Sequence, residues 1–126
     1  VSAWLVDTHA LLWFLADDSN LSAAAKTTME SGAEVLLVST ASLWEIAIKS
    51  ALGKVVVPDD LPGIVRAEGF QSLAVTPAHA WAVRDLPVGP HKDPFGRLLV
   101  AQACTEGLSI ISSDEQFDQY PVTRHW

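Results

Sequence analysis

The sequence predicts an α/β fold: a three-layer α/β/α sandwich around a mainly parallel sheet of four to five strands. Three observations carry this reading. Ala3 to Val6, Val35 to Val38 and Leu108 to Ile111 are apolar runs of strand length rather than helix length. Each is followed by a stretch with helical spacing of apolar residues. No repeat, linker or low-complexity segment interrupts the alternation, and strands that alternate with helices pair in parallel through helical crossovers.

In order, the strand Ala3 to Val6 ends at Asp7, and Thr8 to Ala16 reads as a helix. Ser22 caps a second, Ala-rich helix that stops at Gly32. After the strand Val35 to Ser39, Ser42-Leu43-Trp44-Glu45 has the capping-box pattern, which opens a helix carrying Leu43, Ile46, Ala47 and Leu52 up to Gly53. Lys54 to Pro62 reads as a loop with an extended piece at Val55–Val57, followed by a weak helix near Leu61 to Glu68 that Pro62 and Gly63 interrupt. Ser72 to Val75 is the third strand, and Pro77 opens a helix through Ala80, Trp81 and Val83. Leu86 to Lys92, with Pro87, Gly89 and Pro90, is a loop. Asp93-Pro94 pairs an N-cap acceptor with proline at the first helical position, so a helix runs from there to Gly107. Leu108 to Ser112 is strand four, a short helix with Phe117 follows, and Val122 to Trp126 forms a final edge strand.

At 126 residues and 13.6 kDa the chain is expected to form one domain, 1–126, large enough to bury a core. Hydrophobic residues make up 49% and the mean hydropathy is +0.24, which excludes a disordered chain. No apolar run approaches the ~18 residues of a membrane span. No basic stretch precedes Asp7, so no secretory signal is expected, and a single cysteine, Cys104, excludes an internal disulfide. Together these point to the cytoplasm. Cys104 lies among Leu98, Leu99, Ala101 and Ala103, where a buried, inert thiol is expected. A net charge of −7 argues against binding nucleic acid by bulk electrostatics. It leaves open a nucleic-acid enzyme whose bound metal reverses the sign locally. Lys49, Lys54, Lys92 and Arg97 are the candidates for a basic rim, and that rim is thin.

Asp7, Glu45, Asp93 and Asp114 each stand at or near the start of a predicted helix. In a parallel sheet the strand ends and following helix starts share one edge, where ligands bind. The four acids, far apart in sequence, are therefore expected to gather there. Each also has a structural role open to it, because an acid at a helix N-terminus contributes about 0.3–1 kcal/mol. Four together raise their mutual repulsion, which a bound cation relieves. All-oxygen donors select a hard ion such as Mg²⁺.

The segments Leu5–Trp13, Ser39–Ile46, His91–Leu99 and Ile111–Asp114 resemble the PIN-domain ribonucleases, in particular VapC-type toxins of bacterial toxin–antitoxin pairs. The resemblance covers nearly the whole chain, with its four motifs in order. It implies a Mg²⁺- or Mn²⁺-dependent endoribonuclease acting on structured RNA such as tRNA or rRNA. It also implies a homodimer and a small antitoxin that occupies the acidic groove. By resemblance Asp7 is the first acid and a direct metal ligand, Glu45 holds a metal or its water, and Asp114 is the last acid. Thr8, Ser39 and Ser113 are small polar neighbours able to support waters around the ion or to serve as turn and cap residues. Arg97 is a candidate either to contact phosphate or to pair with a groove acid.

The chain departs from the pattern at Gly96, where the subfamily carries a second aspartate, Asp-Pro-Phe-Asp-Arg. Glycine in the first turn of a helix is about 1 kcal/mol worse than alanine, and nothing nearby calls for it. The expectation is a lost carboxylate, with fold and partner binding kept but metal binding and RNA cleavage weakened. Asp93, three residues earlier on the same helix face, is a partial substitute.

His9, His79, His91 and His125 lack metal-ligand spacing; His91 is a solvated loop residue that is within reach of phosphate by sequence. Trp13, Trp44 and Trp81 are expected in the core or a dimer interface, and Trp4 and Trp126 on outer strand faces. The alternative function is a catalytically silent module that holds an antitoxin or RNA. A phosphoryl-signalling receiver or aspartyl-phosphate hydrolase is disfavoured, because Asp7-Thr8-His9 offers neither an acid pair nor a second acid two residues on.

Overall fold

The computed structural model describes residues 3–89 and 92–126. Five strands form one sheet: β1 Ala3–Val6, β2 Val35–Ser39, β3 Gln71–Leu73, β4 Ser109–Ile111 and β5 Arg124–His125. Their spatial order is β3-β2-β1-β4-β5, and every pairing is parallel. The sheet is thus wholly parallel, with the expected fifth strand reduced to two residues at the edge.

Among the described residues six α-helices cover it: α1 Thr8–Leu15, α2 Ala23–Glu30, α3 Thr40–Ala51, α4 Leu61–Ala67, α5 Pro77–Ala82 and α6 Pro94–Glu106. Because strand side chains alternate in direction, adjacent residues of one strand feed two cores. Val6, Val38 and Ile111 join Leu11, Ala25 and Ile46 on one face. Leu5 and Ile110 join Leu99, Val100 and Phe117 on the other. This doubly covered sheet is the α/β/α arrangement the sequence predicts.

The chain builds β1, β2 and β3 in one direction and then returns to place β4 on the far side of β1. That reversal leaves the crevice at the carboxyl ends of β1 and β4, the place where such sheets bind ligands.

Several local expectations need correcting. The capping box at Ser42 and Glu45 does not form. Ser39 ends β2 and itself caps α3, accepting from the Ala41 amide at 3.0 Å. With no loop between strand and helix, α3 begins at Thr40, and Glu45 falls in its second turn. The capping box that does form is Thr76–His79, each side chain accepting from the other's backbone N–H. Its signal was hidden because histidine stands where glutamate or glutamine is usual. Residues 55–58 are loop as expected, whereas β3 starts one residue earlier than expected. Pro62 and Gly63 do not break α4, since proline is tolerated in the first turn.

Cys104 is exposed, not buried, because α6 turns Leu99, Val100 and Ala103 inward and leaves Cys104 outside. Partial desolvation raises its thiol pKa, so it is still no activated nucleophile. Trp13 packs into the first core against Trp126, with 5.8 Å between ring centroids. Trp126 is therefore a core contact, not an outer-face residue. Trp44 and Trp81 are 60% and 70% exposed and belong to no core. His91 lies outside the described residues.

Candidate metal centre

Asp7 stands at the carboxyl end of β1 and caps α1. Its Oδ1 accepts from the Thr8 amide at 2.7 Å, and its Oδ2 accepts from the Ser112 hydroxyl at 2.7 Å. The register explains the second bond. Val6 pairs with Ile111, so the next residues, Asp7 and Ser112, face each other across the β1–β4 crevice. The Asp7 amide also donates to the Ile111 carbonyl at 3.0 Å. The hydroxyl that reaches Asp7 is that of Ser112, the residue before the expected Ser113. Sequence alone could not choose between two adjacent serines without the register.

Thr8 ties the first acid to the second. While its amide holds Asp7, its hydroxyl donates to Glu45 Oε1 at 2.8 Å, across 37 residues of chain. The other Glu45 oxygen accepts from Lys49 Nζ at 2.6 Å, one turn further along α3. Glu45 is only 7% exposed, which is rare for a glutamate. Burial pushes the Asp7 carboxyl pKa above its ordinary value; the Ser112 hydroxyl, the Thr8 amide and His9 pull it down, and the charge of Glu45 pushes it further up. The two acids therefore share one electrostatic environment.

Asp114 joins at one remove. Its backbone N–H donates to the Ser112 hydroxyl oxygen at 3.0 Å, so Ser112 bridges Asp7 and the start of the next turn. The Asp114 carboxylate itself turns back to accept from the Gln116 amide at 2.9 Å, capping the 3-10 turn Glu115–Gln119. Asp93 behaves in the same way: exposed, it accepts from the Phe95 amide at 3.0 Å and caps α6. Gly96 is buried in the first turn of α6, among residues with ordinary helical backbone.

Among the described residues no three His, Cys, Asp or Glu side chains are grouped to hold a metal ion. The four expected acids thus divide: Asp7 and Glu45 meet, Asp114 adjoins them through Ser112, and Asp93 is taken up as a cap. The supporting residues divide too. Thr8 bridges both acids, whereas the Ser39 hydroxyl oxygen serves as the cap of α3. Arg97 is committed elsewhere, donating to the Pro87 carbonyl at 3.0 Å and the Tyr120 hydroxyl at 3.2 Å.

Besides Ser112, two functional candidates escape a reading of the sequence alone. Lys49 was placed only on a general basic rim, although its position four residues after Glu45 is the spacing of a helical ion pair. Ser42 was placed in a capping box. Its hydroxyl is buried, stands one turn before Glu45 on the same helix face, and has no hydrogen-bond partner among the described residues.

The donor set fits a small, hard, hydrated cation. Two carboxylates in contact through Thr8 and an orphaned buried hydroxyl provide oxygen only, and Mg²⁺ commonly takes one or two carboxylates with waters.

Beside this pair, α1, α3, the 54–58 loop and α4 enclose a mainly apolar groove of about 750 Å³, with Thr8 and Lys49 on its acidic side and Leu12, Trp13 and Val57 in its walls. On the outside of α3, Trp44, Ile48 and Leu52 recur every four residues as an exposed apolar stripe.

Known proteins match this architecture. Ribonuclease VapC22 of Mycobacterium tuberculosis (strain ATCC 25618 / H37Rv) is 27% identical over 125 residues, covering 94% of this chain and 95% of that protein. The fold is similar to that in the crystal structure of DNA-bound VapBC from Salmonella typhimurium, with a TM-score of 0.64, 14% identity and coverage of 99% of this chain and 98% of that one. It is also similar to VapBC2 from Rickettsia felis bound to a DNA fragment from their promoter, with a TM-score of 0.63, 9% identity and coverage of 98% and 97%. The family model of the PIN domain matches residues 4–122, nearly the full length, and the chain belongs to that family.

Proposed function

We propose that this protein is a Mg²⁺- or Mn²⁺-dependent endoribonuclease, the VapC-type toxin of a toxin–antitoxin pair, working in the cytoplasm. The observation that carries the chemistry is the Asp7–Thr8–Glu45 contact at the β1–β4 crevice. Support for the substrate comes from the relative named a ribonuclease, and for the antitoxin from neighbours that are VapBC complexes. Asp7 and Glu45 would hold the cation, with Asp114 adjoining them through its backbone amide on Ser112. When bound, such an ion lowers the pKa of water and stabilises the leaving oxygen of a phosphodiester.

The chain's own residues do the rest. Thr8 and Ser112 fix both Asp7 oxygens, so that carboxylate presents one orientation to the crevice. Lys49 and Thr8 do the same for Glu45. The RNA is of a structured class, tRNA or rRNA. An antitoxin segment would lie in the apolar groove beside the acids, and the Trp44–Ile48–Leu52 stripe would pair two copies as a homodimer.

The test is cleavage of a structured RNA with Mn²⁺. The expected result is slow cleavage that EDTA and Glu45→Gln both abolish; cleavage that survives both would refute the metal-dependent reading.

Gly96 favours a second reading, in which the chain retains RNA or antitoxin without turnover. The missing carboxylate impairs metal binding on either reading. Retention of RNA with no Glu45-dependent product, under conditions where Gly96→Asp cleaves, would select the silent module.

A further inference from the structure

We propose that Lys49 is the resident counter-cation of the acidic pair: its ammonium competes with a divalent ion for Glu45 and so sets the metal affinity of the site. This rests on the metal-dependent reading above.

Four contacts occupy the four carboxylate oxygens of Asp7 and Glu45. The donors are the Thr8 amide, the Thr8 hydroxyl, the Ser112 hydroxyl and the Lys49 ammonium. Three are neutral and belong to residues with 3% exposure or less, locked at the start of α1 and the end of β4. A carboxylate oxygen has lone pairs enough to keep such a bond and still face a cation. Lys49 differs in both respects. It carries a full positive charge, and its side chain is 39% exposed.

An ordinary surface Glu–Lys pair four residues apart contributes little. Here the glutamate is buried and linked through Thr8 to a second acid, so the ammonium partners a charge that would otherwise lack one. A divalent ion at the same carboxylates would meet an ammonium 2.6 Å from Glu45 Oε2. The two cations repel and compete for one oxygen. Lys49 also lines the groove beside the site. Its flexible stem can therefore carry the ammonium out to water when metal enters, with no charge left buried.

The experiment titrates Mn²⁺ into the full chain and its variants. Free Mn²⁺ is read by electron paramagnetic resonance, and the Mn²⁺-induced rise in melting temperature is read in parallel. Lys49→Met should tighten the Mn²⁺ Kd roughly tenfold, the scale expected when a nearby like charge is removed, and should enlarge the melting shift. Lys49→Arg should keep the parent affinity, and Lys49→Gln should repeat the Met result. Glu45→Gln should abolish the binding. Glu45-dependent binding that Lys49→Met and Lys49→Gln leave unchanged or weaken overturns the Lys49 proposal alone. Absence of any Glu45-dependent binding, both in this chain and in Gly96→Asp, removes the metal reading and the proposal with it.

Discussion

The acids of β1 and α3 (the first wall) and those of α6 and the turn after β4 (the second wall) are held by different means. Along β1 and α3, Glu45 is bound by a hydroxyl 37 residues away and Asp7 by one 105 residues away. Along α6 and the turn after β4, Asp93 and Asp114 are each bound by a backbone amide two residues on. A carboxylate held by its own helix is a cap that any short segment can make. One held across the fold exists only when the whole sheet is assembled, and its burial raises its energy. The first wall is thus a built site, and the second is helix capping.

If so, the first wall should work at the expense of stability, and Asp7 is the sharpest place to break the comparison. Asp7→Asn is expected to reduce Mn²⁺-dependent cleavage by about 100-fold or more, the upper scale for residues that shape a metal site. The same variant should melt higher than the parent at neutral pH in EDTA. Burial raises the folded-state pKa of Asp7 above its unfolded value. Its contribution to stability is then fully present below the unfolded pKa and is lost as pH rises through the folded one. The advantage of Asn should accordingly vanish in acid, below the ordinary aspartate pKa. Thermal melts between pH 3 and 8 check this, and an Asn variant less stable at pH 7 would show that the carboxylate is not strained.

On the second wall the corresponding change is a gain. Gly96→Asp places an acid in the first turn of α6, where the helix dipole favours negative charge. Cleavage in Mn²⁺ should rise by roughly 10–100-fold. Because Gly96 is buried, the metal-free variant should be less stable than the parent and recover when Mn²⁺ is added. No rise in cleavage would mean that the glycine is not what limits this chain.

The fold was legible in the sequence to the extent that it depends on local pattern. The runs Ala3–Val6 and Val35–Ser39 and the signals Asp93-Pro94 and Gly107 mark their elements within a residue or two. Membership of the site was legible only as a set of candidates. Asp7, Glu45, Asp93 and Asp114 have similar local contexts, and all are expected at one edge. Which of them meet depends on register and on where α3 begins. The direct passage from β2 into α3 moved Glu45 into the second turn and brought it under Thr8. The β1–β4 register selected Ser112 over Ser113. Neither follows from residue type, since both are set by contacts between segments far apart in the chain.

Thr8 links the two acids of the first wall, so removing its hydroxyl should uncouple them. Thr8→Val keeps the amide bond to Asp7 and the shape of the side chain, but leaves Glu45 Oε1 without its donor. An unsatisfied buried acceptor is expected to destabilise the protein by about 1–3 kcal/mol. Mn²⁺ affinity should fall by about tenfold as Glu45 loses its orientation. Equilibrium unfolding in urea and Mn²⁺ titration of the same sample separate the two effects. Unchanged affinity with lowered stability would make Thr8 structural only.

Ser42 gives the smallest effect and the opposite sign. Its hydroxyl is buried with no partner among the described residues, one turn before Glu45. Burial of such a group without a hydrogen bond is unfavourable by about 1–3 kcal/mol, and alanine is the better helix former by a few tenths of a kcal/mol, within the ~0.7 kcal/mol spread of ordinary residues. Ser42→Ala should therefore raise the melting temperature by roughly 3–5 °C, following from a gain near 1 kcal/mol in a chain of this size. A hydroxyl that destabilises the helix it sits in belongs with Asp7 and Glu45, which are also held against their own solvation. If Ser42→Ala instead melts lower, the hydroxyl has a buried partner, most simply an ordered water. Ser42 would then be part of the packing, and strain on the first wall would be confined to its two carboxylates.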